Sequence, residues 1–143
     1  SLWQRLTHLL DNTQPLAALL ARGYVAEAFF RSGLTKIRDW DTTLALFENE
    51  YQVPLLSPAV AAWMGTGGEL ALPVLLALGL AGRFAAAGLS VVNVVAVLSL
   101  AEIAPAALQQ HQFWGSLLLG LLLWGPGKLS LDGLIARRFG GTR

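Results

Sequence analysis

Apolar residues run almost unbroken from Trp63 to Gly82, long enough to cross a bilayer, with one carboxylate, Glu69, near the middle and Pro73 four residues later. Pro73 has no N–H for the carbonyl of residue 69, so the helix is expected to bend or loosen beside the acid. A similar run follows at about 84–103, with Asn93 near its middle and small residues at Ala85, Ala86, Ala87, Gly88 and Ser90 that favour close packing. A shorter one occupies about 112–124. The earliest, about 15–33, is interrupted by Arg22, Glu27 and Arg31. Between and around these spans the pattern turns amphipathic. Leu2, Trp3, Leu6, Leu9 and Leu10 share one face of residues 1–11, which read as an interfacial helix stopped by Asp11 and Asn12, with Pro15 opening the next helix. Trp40, Leu44, Phe47 and Tyr51 recur at helical spacing over 40–53, a surface helix capped by Asp39 or Asp41 and ended before Pro54. Ser130 caps a tail helix over 130–139 that carries Leu131, Leu134 and Ile135 on one side and Arg137 and Arg138 in its last turn, and Gly140 and Gly141 suggest a frayed end. The expected architecture is all-α: an integral membrane four-helix bundle, one domain, with amphipathic interfacial helices at the N-terminus, between the first two spans and at the C-terminus.

Composition sharpens this. Of 143 residues 55% are hydrophobic and 13% charged, and mean hydropathy is +0.55, which departs from soluble domains. A net charge of +1 with no basic run argues against nucleic acid as a partner. No cleavable signal pattern opens the chain, so the spans themselves are expected to direct insertion. Arg5, Arg83, Lys128, Arg137, Arg138 and Arg143 fall on the side of the termini and Arg31, Lys36 and Arg38 on the other. Both termini are therefore expected in the cytoplasm. Trp40, Trp63 and Trp114 would then mark the outer interface, and Trp3 and Trp124 the inner one.

The chemistry available is narrow. Cysteine is absent, which removes thiol exchange, iron–sulfur ligation and thiolate zinc sites. His8 and His111 fall on opposite sides of the membrane in this topology, so neither a haem nor a shared metal is expected. GTGGEL at 65–70 has no GK[ST] ending and no preceding strand, so it reads as close helix packing and not as a phosphate loop. What remains is carboxylates inside spans. An Asp-type charge at mid-membrane costs roughly 2.5–3.5 kcal/mol, which makes Glu69 a default site residue. Glu27 and Arg31 are about 40° apart around a helix and can pair. Arg22 lies about 140° from Glu27 and can snorkel to the interface. Two readings stand for these charges: end anchors with an intrahelical pair, or a polar site with Glu27 facing inward near Glu69. Asn93 needs a partner across the bundle, and Glu69 is the natural one. The 40–53 stripe either covers the mouth of the bundle or lies on lipid or protein.

Four stretches in order, Arg31-Ser-Gly33-Leu-Thr-Lys36, Gly68-Glu69 with Leu72-Pro73, Leu78-Gly79-Leu80-Ala-Gly82-Arg83-Phe-Ala85, and Gly125-Pro-Gly127-Lys-Leu-Ser130-Leu131-Asp132, resemble the DoxX family of small four-span membrane proteins over roughly residues 16–132. That resemblance implies a multi-pass protein of the bacterial cytoplasmic membrane, linked to redox or oxidative-stress systems and not catalytic alone. Members look like small subunits or anchors beside a quinone-dependent oxidoreductase, so the implied ligand is a quinone and the implied partner an oxidoreductase. The small-residue faces of the second and third spans fit intramolecular packing or a homo-oligomer equally well. None of the motifs is a catalytic signature. Arg31, Lys36, Glu69, Arg83 and Asp132 match the family pattern as site or structural positions. The candidate ligand-binding set is Glu69 with Glu27, Arg31, Asn93 and Lys36; the candidate interaction set is Trp40, Leu44, Phe47 and Tyr51; Pro73, Arg83 and Asp132 are structural. The alternatives to a quinone-linked subunit are a ligand-free scaffold that recruits proteins through the surface helix or basic tail, and a small-solute or proton pathway.

Overall fold

The structure, a computed structural model, describes residues 1–140; Gly141 and Arg143, used above for the frayed end and the charge count, lie outside the described residues. Six helices and no strands make up the described chain: α1 (Leu2–Arg38), α2 (Trp40–Asn49), α3 (Pro58–Leu78), α4 (Gly82–Ser99), α5 (Pro105–Trp124) and α6 (Leu131–Phe139). Helices α3 and α4, with mean hydropathy 1.4 and 1.6, are long and apolar enough to cross a membrane.

Residues 1–11 are not a separate helix; α1 runs unbroken through Asp11, Asn12 and Pro15 for 37 residues. Proline costs α1 the bond to the carbonyl four residues back, here that of Asp11, which lies at an exposed position. Water or headgroups satisfy an exposed carbonyl, while the unbroken helix keeps its remaining bonds. Pro73 likewise sits inside an uninterrupted α3, fully buried. The surface helix is shorter than 40–53: it ends at Asn49, and Tyr51 lies in the following loop, its N–H donating to Leu46 O at 2.9 Å. α4 ends at Ser99, short of 103, and α5 starts at Pro105 rather than 112 because Pro105 fills the first helical position. The tail helix matches its expected place, Ser130 Oγ accepting from Gly133 N at 3.0 Å.

The core lies between α1, α3, α4 and α5, with Val25, Phe29, Leu76, Leu89 and Leu118 buried among the small Ala85 and Ala86. One end of it is tied by polar groups. Arg22 does not snorkel out; it is completely buried. Its guanidinium donates to Ala77 O at 3.1 Å and Leu76 O at 3.5 Å, carbonyls of the last turn of α3, and to Leu129 O. The Ala77 carbonyl lies in the last turn, where a helix leaves carbonyls without an N–H partner, while Leu76 O also accepts from Gly79 N at 3.0 Å; a cation there also meets the negative end of the helix dipole. Asp132 does the complementary work on α4, accepting from Ala81 N at 2.8 Å and Gly82 N at 2.7 Å, while its own N–H donates to Gly79 O at 2.9 Å. The turn between α3 and α4 is thus held by one residue of α1 and one of α6. Gly79 makes it possible: its φ is +66°, and a Cβ there would stand 2.2 Å from Ser130 Cβ and 2.5 Å from an Arg22 nitrogen.

Gly79→Ala is expected to destabilise the protein by more than the roughly 1–2 kcal/mol of a left-handed alanine, because the clash adds to it. Arg22→Met is expected to cost about 2–4 kcal/mol by stranding the carbonyls of Ala77 and Leu129. Thermal unfolding followed by tryptophan fluorescence in detergent reads both.

Candidate functional site

At the far end from Arg22, α1 crosses α3 closely because residue 33 is glycine: a Cβ there would lie 3.0 Å from Leu70 and 3.1 Å from Glu69 Cβ. One turn further on, Lys36 reaches over. Its ammonium donates to Glu69 Oε2 at 2.8 Å, Glu69 Oε1 at 3.1 Å and Ser32 Oγ at 2.8 Å. Three N–H groups meet three acceptors. The pair is largely buried, with side-chain exposure of 19% for Lys36 and 10% for Glu69.

The pair borders a cavity of about 400 Å³ whose walls are mainly Val91, Val92, Val95 and Ala96 of α4 and Met64 and Ala61 of α3, with Ser32, Tyr51, Ser99 and His111 as its other polar groups. Helix α2 forms its cover. Phe47 is buried against Ala61 and Ala62, with Trp40, Leu44, Tyr51 and Val53 packed around it, and Gly65 leaves room for the Phe47 ring at 3.7 Å from where a Cβ would be. The amphipathic stripe of the surface helix is therefore turned inward onto α3. Thr43 Oγ1 pins the start of α2 by donating to Lys36 O at 2.8 Å and Asp39 O at 3.0 Å. Gln52 N donates to Ser99 O at 2.8 Å, tying the loop after α2 to the end of α4. Tyr51 packs edge-on to Phe47 at 4.9 Å. Burial, reinforced by the negative charges of Glu50 and Glu69, pushes the Tyr51 phenol above its ordinary range, so it remains a hydroxyl donor at neutral pH.

His111 Nδ1 lies 2.8 Å from Ala107 O. A carbonyl only accepts, so Nδ1 carries the proton, and in the neutral ring Nε2 is an acceptor. The ring also stands edge-on to Trp114 at 5.1 Å.

Of the expected site residues, the structure joins Lys36 to Glu69 and leaves the others apart. Glu27 does not face Glu69; it pairs with Arg31 on the outer face of α1, with side chains 66% and 76% exposed. The i, i+4 pairing holds, and the polar-site reading of those two residues fails because α1 turns Val25, Ala26 and Phe29 inward instead. Asn93 does not pair with Glu69 either. Its Nδ2 donates to His111 O at 2.8 Å, because α4 turns this residue toward α5, where Gly115 leaves space beside the amide. Arg83 is exposed beside Gly125, and Asp132 is the α4 cap. His111, which the sequence pattern places only by its side of the membrane, lies within α5. Pro105, a favoured first helical residue, was the signal that places it on a helix. No cluster of metal-ligating side chains occurs among the described residues.

A protein-family model described as DoxX matches residues 17–102, more than half of the chain. The chain belongs to the DoxX family. The match runs from α1 to just past α4, so it contains the Lys36–Glu69 pair and Tyr51, whereas His111 and the Gly125–Asp132 stretch lie beyond it. No curated protein and no solved structure matches the chain. Family membership and two apolar helices of spanning length make this DoxX chain a membrane protein.

Breaking a buried pair from one side costs about 3–5 kcal/mol, whereas replacing both partners by apolar groups is far milder. Lys36→Met is therefore expected to lower stability more than the double variant Lys36→Met with Glu69→Leu, as read by thermal unfolding. A separate expectation follows from Asp39, whose carboxylate caps α2 by accepting from Thr42 N at 3.2 Å and Thr42 Oγ1 at 2.7 Å. Those bonds hold its carboxyl below the ordinary range. The cap is complete above the unfolded value, near pH 4, and is lost as pH falls through the lower folded value. Hydrogen exchange of the first turn of α2 should rise below about pH 4, and Asp39→Asn should abolish that pH dependence.

Proposed function

We propose that this DoxX-family chain is a four-span subunit of a quinone-linked redox system in the bacterial cytoplasmic membrane, and that the cavity beside Lys36 and Glu69 takes a quinone head group. The observation that carries the reading is a largely buried ion pair at the edge of a mostly apolar cavity that has a few further polar groups. A volume of about 400 Å³ falls within the roughly 300–1,000 Å³ of small-molecule sites, which are mostly apolar with a few placed polar groups. The Tyr51 hydroxyl donates toward a ring carbonyl, where the Lys36 ammonium joins it by giving up its bond to Ser32 Oγ; Glu69 and the acceptor nitrogen of His111 accept from a quinol hydroxyl, and the valines of α4 face the ring. With both termini in the cytoplasm, the cavity lies toward the outer leaflet, and electrons are exchanged with a partner oxidoreductase rather than carried by this chain.

The scaffold alternative through the surface helix loses ground, since Phe47 is spent on its own chain. The tail keeps it alive: α6 exposes Leu134 and Ile135 beside Arg137 and Arg138, a surface that fits a partner or the membrane face.

Mass spectrometry of organic extracts from gently purified protein tests the proposal. A stoichiometric quinone is expected, lost or reduced about tenfold in Glu69→Gln while that variant still inserts; bulk lipid alone in both samples would overturn it.

A further inference from the structure

We infer that the outer face of α1 is the contact between two copies of this chain, paired in parallel about a two-fold axis. Positions 2, 6, 9, 13, 16, 20, 23, 27, 30, 34 and 37 follow one another in alternating steps of four and three along the whole helix. Eight of these eleven positions are large apolar residues, and a 3.5-residue spacing is what a helix packed on another helix uses. In the bundle most of the row is unused: Leu2, Leu6, Leu9, Leu16 and Leu20 are 46–84% exposed and Ile37 is 54% exposed, while Phe30 and Leu34 are half-buried. Gly23, in the middle of the row, has nothing within 4 Å of where a Cβ would be, so a second helix can approach there.

Glu27 and Arg31 say that lipid is not what covers this face. Arg22 meets the last turn of α3 and Gly33 packs on Glu69 and Leu70, so the two charges between them lie at the depth of the apolar second half of α3. An ion pair this exposed is costly against hydrocarbon. The premise is the reading that α1 crosses the bilayer. A two-fold axis makes the patch its own complement: Glu27 and Arg31 of each copy join into a neutral cluster of four charges shielded from acyl chains.

Charge also selects the occupant. Between residues 2 and 20 the side chains carry only Arg5 and Asp11 as full charges. An anionic membrane surface calls for more cations, and an identical neutral face meets no repulsion. The area suffices as well. At 1.5–3 kcal/mol per buried leucine and 25 cal/mol per Å², five leucines from each copy cover on the order of 600–1,200 Å², and the remaining seam residues bring the total near the roughly 1,000 Å² of a specific contact. Helix α1, about 55 Å long, exceeds the hydrocarbon core of about 30 Å, so its first turns continue the seam outside the bilayer.

The chain has no cysteine, which makes single-cysteine cross-linking clean. The full protein in native-like membranes is mildly oxidised with Leu9→Cys, Leu16→Cys or Gly23→Cys on the seam and Thr7→Cys or Gln14→Cys off it. Disulfide-linked dimer at the seam positions, at least fivefold above the off-seam pair, is the expected result. Equal yields at all positions, or none at any, would overturn the pairing. Charge reversal gives a second readout: Glu27→Arg should lower the dimer fraction severalfold in single-molecule photobleaching, and Glu27→Arg combined with Arg31→Glu should restore it. No loss in the single variant contradicts the charge cluster. Labelling of Glu27→Cys by a membrane-impermeant maleimide separates the premise from the inference: reaction there removes the membrane-depth argument and the four-span reading, whereas retained seam cross-links would still report pairing.

Discussion

A carboxylate in the apolar body of α3 must either lose its charge or meet a cation, and the rest of the upper half of the molecule is arranged around the second solution. Lys36 lies two residues before the end of α1, so its ammonium reaches Glu69 only if α1 and α3 come within van der Waals contact at Gly33. That contact sets how the two helices cross. The same closeness turns α2 back over α3, where Thr43 holds the corner and Phe47 fills the space above Gly65. The ion pair is left at the edge of a cavity instead of deep within packed side chains. Buried ion pairs are weak contributors to stability compared with apolar packing of the same volume, so a pair kept at a cavity edge points to binding more than to holding the fold.

The opposite end solves a different problem with similar means. Helices that end inside a compact bundle expose carbonyls and N–H groups that need partners. Arg22 supplies a donor for the end of α3 and Asp132 an acceptor for the start of α4, and the turn between them depends on the backbone freedom of Gly79. The two ends make α1 a rigid strut: buried Arg22 at one level and Lys36 at the other fix its rotation. Once that rotation is set, Glu27 and Arg31 face outward whatever their charge costs there.

Much of this was legible in the residues, and what was not has a physical reason. Helices α3 and α4 announce themselves through their apolar runs and α6 through its Ser130 cap and amphipathic pattern. Glu69 stands out as the lone charge in its run, and its partner Lys36 was among the matched family positions. The α1 pairing of Glu27 with Arg31 follows from spacing alone. Partnerships with backbone carbonyls were hidden, because a carbonyl leaves no mark in the sequence: Arg22 with Ala77 and Leu129, and Asn93 with His111, are of this kind. Helix rotation was hidden for α1, where the charged residues are spread around the wheel and do not say which face is inside. The start of α1 was misjudged because Asp11, Asn12 and Pro15 are stop signals whose cost is small where the interrupted carbonyl is exposed.

The central claim is that a quinone head group enters the cavity between α2, α3 and α4 beside the Lys36–Glu69 pair. Photo-cross-linking with an azidoquinone, followed by peptide mapping, tests it most directly. The account predicts label concentrated on the cavity walls, at Phe47–Val53, Ala61–Glu69 and Val91–Leu100, and competed away by unlabelled quinone. Label spread over the outward faces of the helices and indifferent to competition would contradict it.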